Sequence, residues 1–346
     1  MRAQATGVVV IGRNEGARLG RSFDSLGALQ RTAVYVDSGS TDASVALARR
    51  RGIEVVALDP SLLLSAARAR NAGFRRLVEL HPDTAYIQFV DGDCELAEGW
   101  LETAATALAA GPGAAVAAGW LRERDPDRSI YHRLADLEWN GGGSGEVDEV
   151  GGIFMIRREA FERSGGFDEG LAAGEELELC HRLRAQGWRL LRLDRAMASH
   201  DLAMTRFRQW WRRALRFGYA SAKLGDRYSL ARYRQNNLRV RLWCAAPVLL
   251  PAIAYLTASA SGMAALPPAL AAFACTWPAQ LLRIALRARK SGHPAGVALP
   301  LAFFTVLAYA PQFAGQALYL ADRVRSRSHR LIEHKTPLSG AAVKCD

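Results

Sequence analysis

Two carboxylates one residue apart, Asp91 and Asp93, close the apolar run Phe89-Val90-Asp91-Gly92-Asp93. The residues before them, Tyr86-Ile87-Gln88-Phe89-Val90, read as a buried strand. Gly92 permits a sharp turn, so both acids can face one point just past the strand's carboxyl end. Hard oxygen ligands with open positions suit Mg²⁺ or Mn²⁺ that must also hold a diphosphate. Taken alone, the triplet is a weak signal and fits a solvated Asp-Gly-Asp turn better, so its neighbours in sequence decide.

The elements that must position these acids follow an α/β rhythm from about residue 6 to 200. A strand over 7–11 leads into Gly12-Arg13-Asn14-Glu15-Gly16 and a helix to about residue 29. A second strand over 32–36 runs into Asp37-Ser38-Gly39-Ser40-Thr41-Asp42, then a helix through residue 51. A short strand over 53–57, a helix over 65–80 and the strand ending at Asp91 follow. The pattern predicts a doubly wound, mostly parallel, Rossmann-like sheet. Ligands of such sheets bind outside the carboxyl ends of the strands, where three of these polar clusters fall. Ser40, Thr41 or Asp42 is also the right type to cap the helix that follows. Residues 140–145 are glycine-rich and expected to form a mobile loop, and Gly152 opens a further strand, Gly-Ile-Phe-Met-Ile.

The chain has 346 residues and a formal net charge of +11, which favours anionic partners. Nearly all the basic residues are arginine, which forks onto phosphates and carboxylates better than lysine does. No nucleic-acid-binding motif appears, so nucleic acid is not an expected partner. The five cysteines, Cys94, Cys180, Cys244, Cys275 and Cys345, form no Cys-x-x-Cys pair. That argues against a disulfide framework or zinc cluster and fits a reducing compartment. The apolar run at 8–11 is too short for a signal peptide and soon meets Arg13 and Glu15.

From Leu242 to Leu282 no residue is charged, about twice the ~20 residues that one membrane helix needs. Ser259-Ala260-Ser261-Gly262 and Pro267-Pro268 interrupt the run, which predicts a hairpin of two spans; a buried soluble hairpin, or one that enters a single leaflet, is the alternative. Arg239 and Arg241 before it, and Arg283, Arg287, Arg289 and Lys290 after it, place both ends on the cytoplasmic side of the inner membrane. The run 297–310 is shorter and meets Pro311. A third span would carry Arg323, Arg325 and Arg327 outside, so an interfacial or re-entrant helix is expected. Residues 207–219 mix Trp210, Trp211 and Phe217 with Arg212, Arg213 and Arg216, as a helix at the headgroup level would, and as an amphipathic helix packed on a soluble domain also would. The expected divisions are a catalytic domain over 1–203, an amphipathic segment over 204–237, the hairpin over 238–290, and an interfacial helix with a basic tail over 291–346.

In order along residues 7–220, these clusters resemble glycosyltransferase family 2, the inverting enzymes with a GT-A nucleotide-sugar-binding fold, and in particular members with a membrane-attached carboxyl-terminal extension. The resemblance implies that Asn14 and Glu15 lie against the base and ribose, and that Asp37 hydrogen-bonds the nucleoside, with Ser38 where the family has a second aspartate. It implies that Arg70, beside Asn71, approaches the donor phosphates. Asp93 would hold a divalent cation (Mg²⁺ or Mn²⁺) most directly, Asp91 reaching ribose or metal-bound water across Gly92. Gly165-Gly166-Phe167-Asp168 matches a family turn. In Gly174-Glu175-Glu176, Glu176 occupies the place of the general base, with Glu175 the lesser candidate. His200 matches a position near metal and diphosphate. Gly152, Gln209, Trp211 and Arg212 match acceptor- or gating-side positions. The implied partners are a nucleoside-diphosphate sugar, a lipid-linked or envelope-glycan acceptor, and membrane lipids. Two other readings stay open: a nucleotidyltransferase making nucleotide sugars, for which Gly12-Arg13-Asn14-Glu15-Gly16 is a poor phosphate loop, and a non-catalytic membrane scaffold that binds nucleotide sugar or glycan.

Overall fold

The computed structural model describes residues 5–62 and 64–325. Two compact units divide the chain after Thr205. The expected basic tail beyond residue 325, with Arg327 and Cys345, lies outside the described residues.

In the first unit, β1 (Ala5–Gly12) is followed by α1 (Ala17–Asp24). The helix expected to reach residue 29 stops early because Gly27 is left-handed at φ 55°, and a 3₁₀ turn over Gly27–Thr32 takes its place. Next come β2 (Ala33–Asp37), α2 (Ser44–Arg50), β3 (Glu54–Ala57), α3 (Ala66–Leu80) and β4 (Thr84–Asp91). The chain continues with β5 (Cys94–Leu96), α4 (Trp100–Ala110), β6 (Ala114–Glu123), α5 (Ile130–Trp139) and β7 (Gly145–Glu146). It closes with β8 (Phe154–Arg157), α6 (Arg158–Ser164), α7 (Glu175–Ala185) and β9 (Arg189–His200).

The sheet runs β3-β2-β1-β4-β8-β6-β9-β5, with β7 beside β9. The pairs among β3, β2, β1 and β4 are all parallel, as the strand–helix rhythm predicts. Beyond β4 the sheet is mixed. β8 runs antiparallel to both β4 and β6, with Phe154 opposite Phe89 near the carboxyl end of β4. The segment before β8, including Gly152, therefore sits at the same rim as Asp91. Val8, Val9 and Val10 of the central strand are fully buried. α3 packs so closely over them that a Cβ on Gly73 would overlap the Val9 side chain and come within 2.9 Å of Val36 Cγ2. That contact fixes α3, and with it Arg70, against the sheet.

The second unit is helical: α8 (Phe207–Arg227), α9 (Ala231–Ala260), α10 (Leu266–Lys290), α11 (Ala295–Leu307) and α12 (Tyr309–Val324). Among the described residues, three segments are long and apolar enough to cross a membrane: Ala231–Ala260, Leu266–Lys290 and Ala295–Val324. The third joins α11 to α12, so the apolar run does not end at Pro311. The proline lacks an N–H for the Leu307 carbonyl. The break falls there, at Ala308, which keeps a right-handed φ of −64° and ψ of −21°. One residue later Gln312 N already donates to Ala308 O at 3.0 Å.

Candidate active site at the carboxyl rim of the sheet

Gly12, Asp37 and Asp91 end three adjacent strands, with Gly12 paired to Asp37 and Ile11 to Asp91. At roughly 4.8 Å per strand, the two acids lie about 10 Å apart across β1. The loops beyond them are stitched together. Asn14, left-handed at φ 55°, donates from its backbone N to Ser40 Oγ at 2.9 Å and accepts from Thr41 N through Oδ1 at 2.7 Å. Asp42 accepts from Gly16 N at 3.0 Å and from Ser44 N, in the first turn of α2, at 2.9 Å. Ser38 N donates to Gly12 O at 3.0 Å. Asp37 is buried, and its Oδ2 accepts from Gly39 N and Ser40 N at 3.0 and 2.8 Å. Its Oδ1 accepts from the Tyr35 hydroxyl at 3.1 Å. Burial, and then the charge of Asp37, hold that phenol far above its ordinary range. Glu15 is buried and paired to Arg18 at 2.9 Å.

The turn expected at Gly92 is present over residues 92 and 93, but it is close packing that requires the glycine. It is not among the left-handed glycines. Instead its N donates to Ile11 O at 2.7 Å, and a Cβ there would lie 3.1 Å from Glu15 Cγ and 3.2 Å from Leu19.

Arg70 is the hub. Ser65 starts α3 by accepting from Arg68 N at 3.2 Å, and Arg70, in the second turn, is 3% exposed. Its Nη1 donates to Glu175 Oε1 at 2.7 Å and its Nη2 to Asp91 Oδ1 at 3.0 Å. The guanidinium lies 5.5 Å from the Phe167 ring centre. Burial disfavours its charge most, but Asp91, Glu175 and Glu176 together outweigh burial and raise its pKa. Gly152 forms the wall beside it: a Cβ there would stand 2.5 Å from Nη2. The next residue, Asn71, holds the Gly165-Gly166-Phe167 turn, accepting from Phe167 N at 2.9 Å and donating to Phe167 O at 2.8 Å. Arg70 and Asn71 thus tie α3 to the start of α7 and to the turn before it.

Glu175 makes the ion pair, and Glu176 sits beside it, half-buried at the start of α7. Burial first, then the neighbouring Glu175, push the Glu176 carboxyl up to about 8 against the opposing pull of Arg70. A group poised there accepts protons near neutral pH.

Asp93 is buried a short step away. Its Oδ2 lies 3.1 Å from His200 Nε2, and Cys94 Sγ is 3.7 Å from its Oδ1. The β5–β9 register, Cys94 opposite His200, brings them together. Among the described residues, Asp93, Cys94 and His200 form the one group of three whose ligand atoms all lie within 4.8 Å. Asp91, expected as a further ligand, is outside that group and engaged by Arg70. A carboxylate oxygen beside an imidazole nitrogen fits a divalent cation such as Mn²⁺. Trp139 stands edge-on to His200 at 4.7 Å. Behind His200, Glu123 is pushed up by burial, with His200 opposing, and the wholly buried His132, 4.0 Å from it, is pushed down by burial and then by Arg128.

The structure therefore gathers Arg70, Asp91, Glu175 and Glu176 into one cluster and Asp93 with His200 into a second. Asn14, Glu15, Asp37 and Ser38 line the loops after β1 and β2. Gln209, Trp211 and Arg212 belong to α8 of the second unit, where Gln209 Oε1 accepts from Arg206 N at 2.9 Å. Asn71, Phe167 and Trp139 were not singled out from sequence as site residues; a tryptophan directly before Asn140-Gly141-Gly142-Gly143 was the one local hint.

The family model for glycosyl transferase family 2 matches residues 7–165. The chain is 29% identical over 182 residues to the succinoglycan biosynthesis protein ExoA of Rhizobium meliloti (strain 1021), covering 49% of this chain and 54% of that protein. It is 28% identical over 233 residues to the pre-mycofactocin glycosyltransferase of Mycobacterium tuberculosis (strain ATCC 25618 / H37Rv), covering 64% and 47%. The chain thus spans about half the length of the curated relatives it matches. Among solved structures, the mannosyltransferase PcManGT from Pyrobaculum calidifontis, in complex with GDP-Man and Mn²⁺, aligns with TM-score 0.50 and 20% identity over 94% of this chain and 87% of that one. At that identity the likeness is one of fold.

Proposed function

We propose, from the match of residues 7–165 to the glycosyl transferase family 2 model, that this chain transfers a sugar from a nucleoside-diphosphate donor to a hydroxyl acceptor, with inversion at the anomeric carbon. The observation that carries the reading is Arg70, buried between Asp91 at the end of β4 and Glu175 at the start of α7, with a proton-accepting Glu176 alongside.

The loops after β1 and β2, with Asp37, receive the nucleoside. Arg70 faces the diphosphate. Asp93 and His200 would hold Mg²⁺ or Mn²⁺, which when bound supplies positive charge against the departing diphosphate. Glu176 takes the proton of the acceptor hydroxyl. The acceptor oxygen bonds to the anomeric carbon as the bond from that carbon to the diphosphate oxygen breaks, and the electron pair leaves with the nucleoside diphosphate. General-base help of this kind contributes about 10²–10⁴-fold. The apolar helices of the second unit support a lipid-linked or envelope-glycan acceptor at the cytoplasmic membrane, with the donor taken from the cytoplasmic side.

The test is a panel of nucleotide sugars offered, with Mn²⁺ or Mg²⁺, to the purified full chain in lipid nanodiscs, scoring released nucleoside diphosphate and glycosylated acceptor. One donor class should turn over. Glu176→Gln should lose about 10²-fold or more of transfer while retaining donor binding by calorimetry. Full transfer by Glu176→Gln and by Asp93→Ala would remove the proposal.

A further inference from the structure

The third apolar segment has the length to cross a membrane, 30 residues from Ala295 to Val324. Its neighbours place it elsewhere. Trp210 of α8 meets Phe304 with ring centres 5.1 Å apart, and Tyr219 meets Tyr319 at 5.6 Å. The Tyr219 hydroxyl donates to Asp322 at 3.2 Å. Asp226 accepts from the Tyr319 hydroxyl and from Arg323, each at 2.6 Å. Between these contacts the helices touch backbone to backbone: a Cβ on Gly218 would strike Gln312, and one on Gly315 would strike Leu215 and Tyr219. The partners advance in the same direction on both helices, so α8 and α11–α12 run side by side and parallel. From residue 210 to 226 that is about 24 Å at 1.5 Å per residue.

α8 carries Arg208, Arg212, Arg213, Arg216, Lys223 and Arg227 within its 21 residues. Charged side chains are excluded from the hydrocarbon centre, whereas Lys, Arg and Trp gather at the headgroup level. A helix clamped to α8 over that length shares its depth. The contacts with α9 agree. Arg241 donates to Gln316 at 2.9 Å, and Cys244 reaches Tyr309 O at 3.4 Å. Moving between these two contacts advances three residues along α9 and retreats seven along α12, about 4.5 Å against about 10.5 Å. Near the charged start of α9 the two helices therefore run in opposite senses. A third span in series after a hairpin would instead run in the same sense as α9.

We infer that α11–α12 does not cross the membrane. It lies with α8 in the membrane plane, on an anionic bilayer surface, and the α9–α10 hairpin alone crosses. The arginines of α8 meet lipid phosphates. Leu299, Phe303, Phe313 and Val324, all exposed, enter the boundary with the acyl chains. Residue 325 then stays on the side of the membrane where α8 lies. The apolar composition of the third segment is that of a helix half-sunk in the interface.

The experiment uses the full chain with its native cysteines replaced by serine. Single cysteines at Leu299, Phe313 and Val324 carry an environment-sensitive fluorophore in vesicles of phosphatidylglycerol and phosphatidylcholine. Lipids spin-labelled near the headgroup or deep in the acyl chain serve as quenchers. At all three positions the shallow quencher should be the stronger. Preferential deep quenching at Phe313, with shallow quenching at the two ends, overturns the inference. A topology reporter fused after Asp346 gives an independent reading. It should report the same compartment as one fused before Met1, and opposite compartments overturn the inference.

Discussion

At the scale of single residues, the rim of the sheet is a set of charges that balance one another. Glu176 has its pKa raised from 4.5 to about 8, so folding stability from this group is fully present below about 4.5 and is lost as pH rises through about 8. Glu176→Gln, which cannot ionise, should therefore melt higher than the parent chain above that range and no higher below 4.5. The kcat/KM of the parent should climb with pH towards an inflection near 8, because the base must be unprotonated; a flat profile excludes Glu176 from the role. Gly152 is a second residue-scale case. Its Cβ would lie 2.5 Å from Arg70 Nη2, so Gly152→Ala must push the guanidinium off Asp91 or Glu175. Such overpacking costs about 1–3 kcal/mol, read by chemical denaturation, and donor affinity should fall with it. A cation held by Asp93 and His200 should stabilise the fold by about 2.7 kcal/mol at a hundredfold excess over its Kd. Thermal melts with Mn²⁺ should show that shift in the parent chain and not in Asp93→Ala.

At the scale of elements, the strands and helices were legible and their long-range partners were not. The acidic pair at the end of β4, the first-turn acids of α7 and the arginine of α3 were each visible from residue type and period. That Arg70 clasps both acids was not, because its partners lie 21 and 105 residues away and no local pattern encodes the angle at which α7 meets α3. Asn71 escaped for the same reason, since its work is to hold a distant turn; Gly152 was singled out for the acceptor side, and its place as the wall beside Arg70 was not foreseen. The parallel half of the sheet followed from the strand–loop–helix rhythm. The antiparallel entry of β8 did not, since a four-residue strand after a glycine-rich stretch has no directional signature. Gly73 shows how tightly the elements are coupled. Gly73→Val should destabilise the first unit by at least 1–3 kcal/mol, in the manner of an overpacked core. Val9→Ala in the same chain should recover part of that loss, and additive single effects would refute direct packing between the two.

At the scale of the whole molecule, the sequence supplied the two chemistries that divide the chain, polar clusters at strand ends before residue 205 and uncharged runs after it. The depth of each apolar run was harder to see, because among the described residues three helical segments have the length and composition to span where the sequence pattern suggested two. Side chains such as Val248 and Leu256 of α9 and Leu266 of α10 are 70%, 66% and 62% exposed. Apolar surface on that scale demands lipid or detergent. The full chain should remain in the membrane pellet after an alkaline carbonate wash; release into the supernatant contradicts a crossing hairpin.

The doubly clasped arginine on α3 carries one more consequence, for how the pocket ignores decoys. Cells are full of small free anions, inorganic phosphate above all. A guanidinium whose charge is already met by two internal acids gains little from such an ion. Only a ligand that engages several parts of the rim at once can tip that balance, so the bare anion should be a feeble competitor where the complete nucleotide is a strong one.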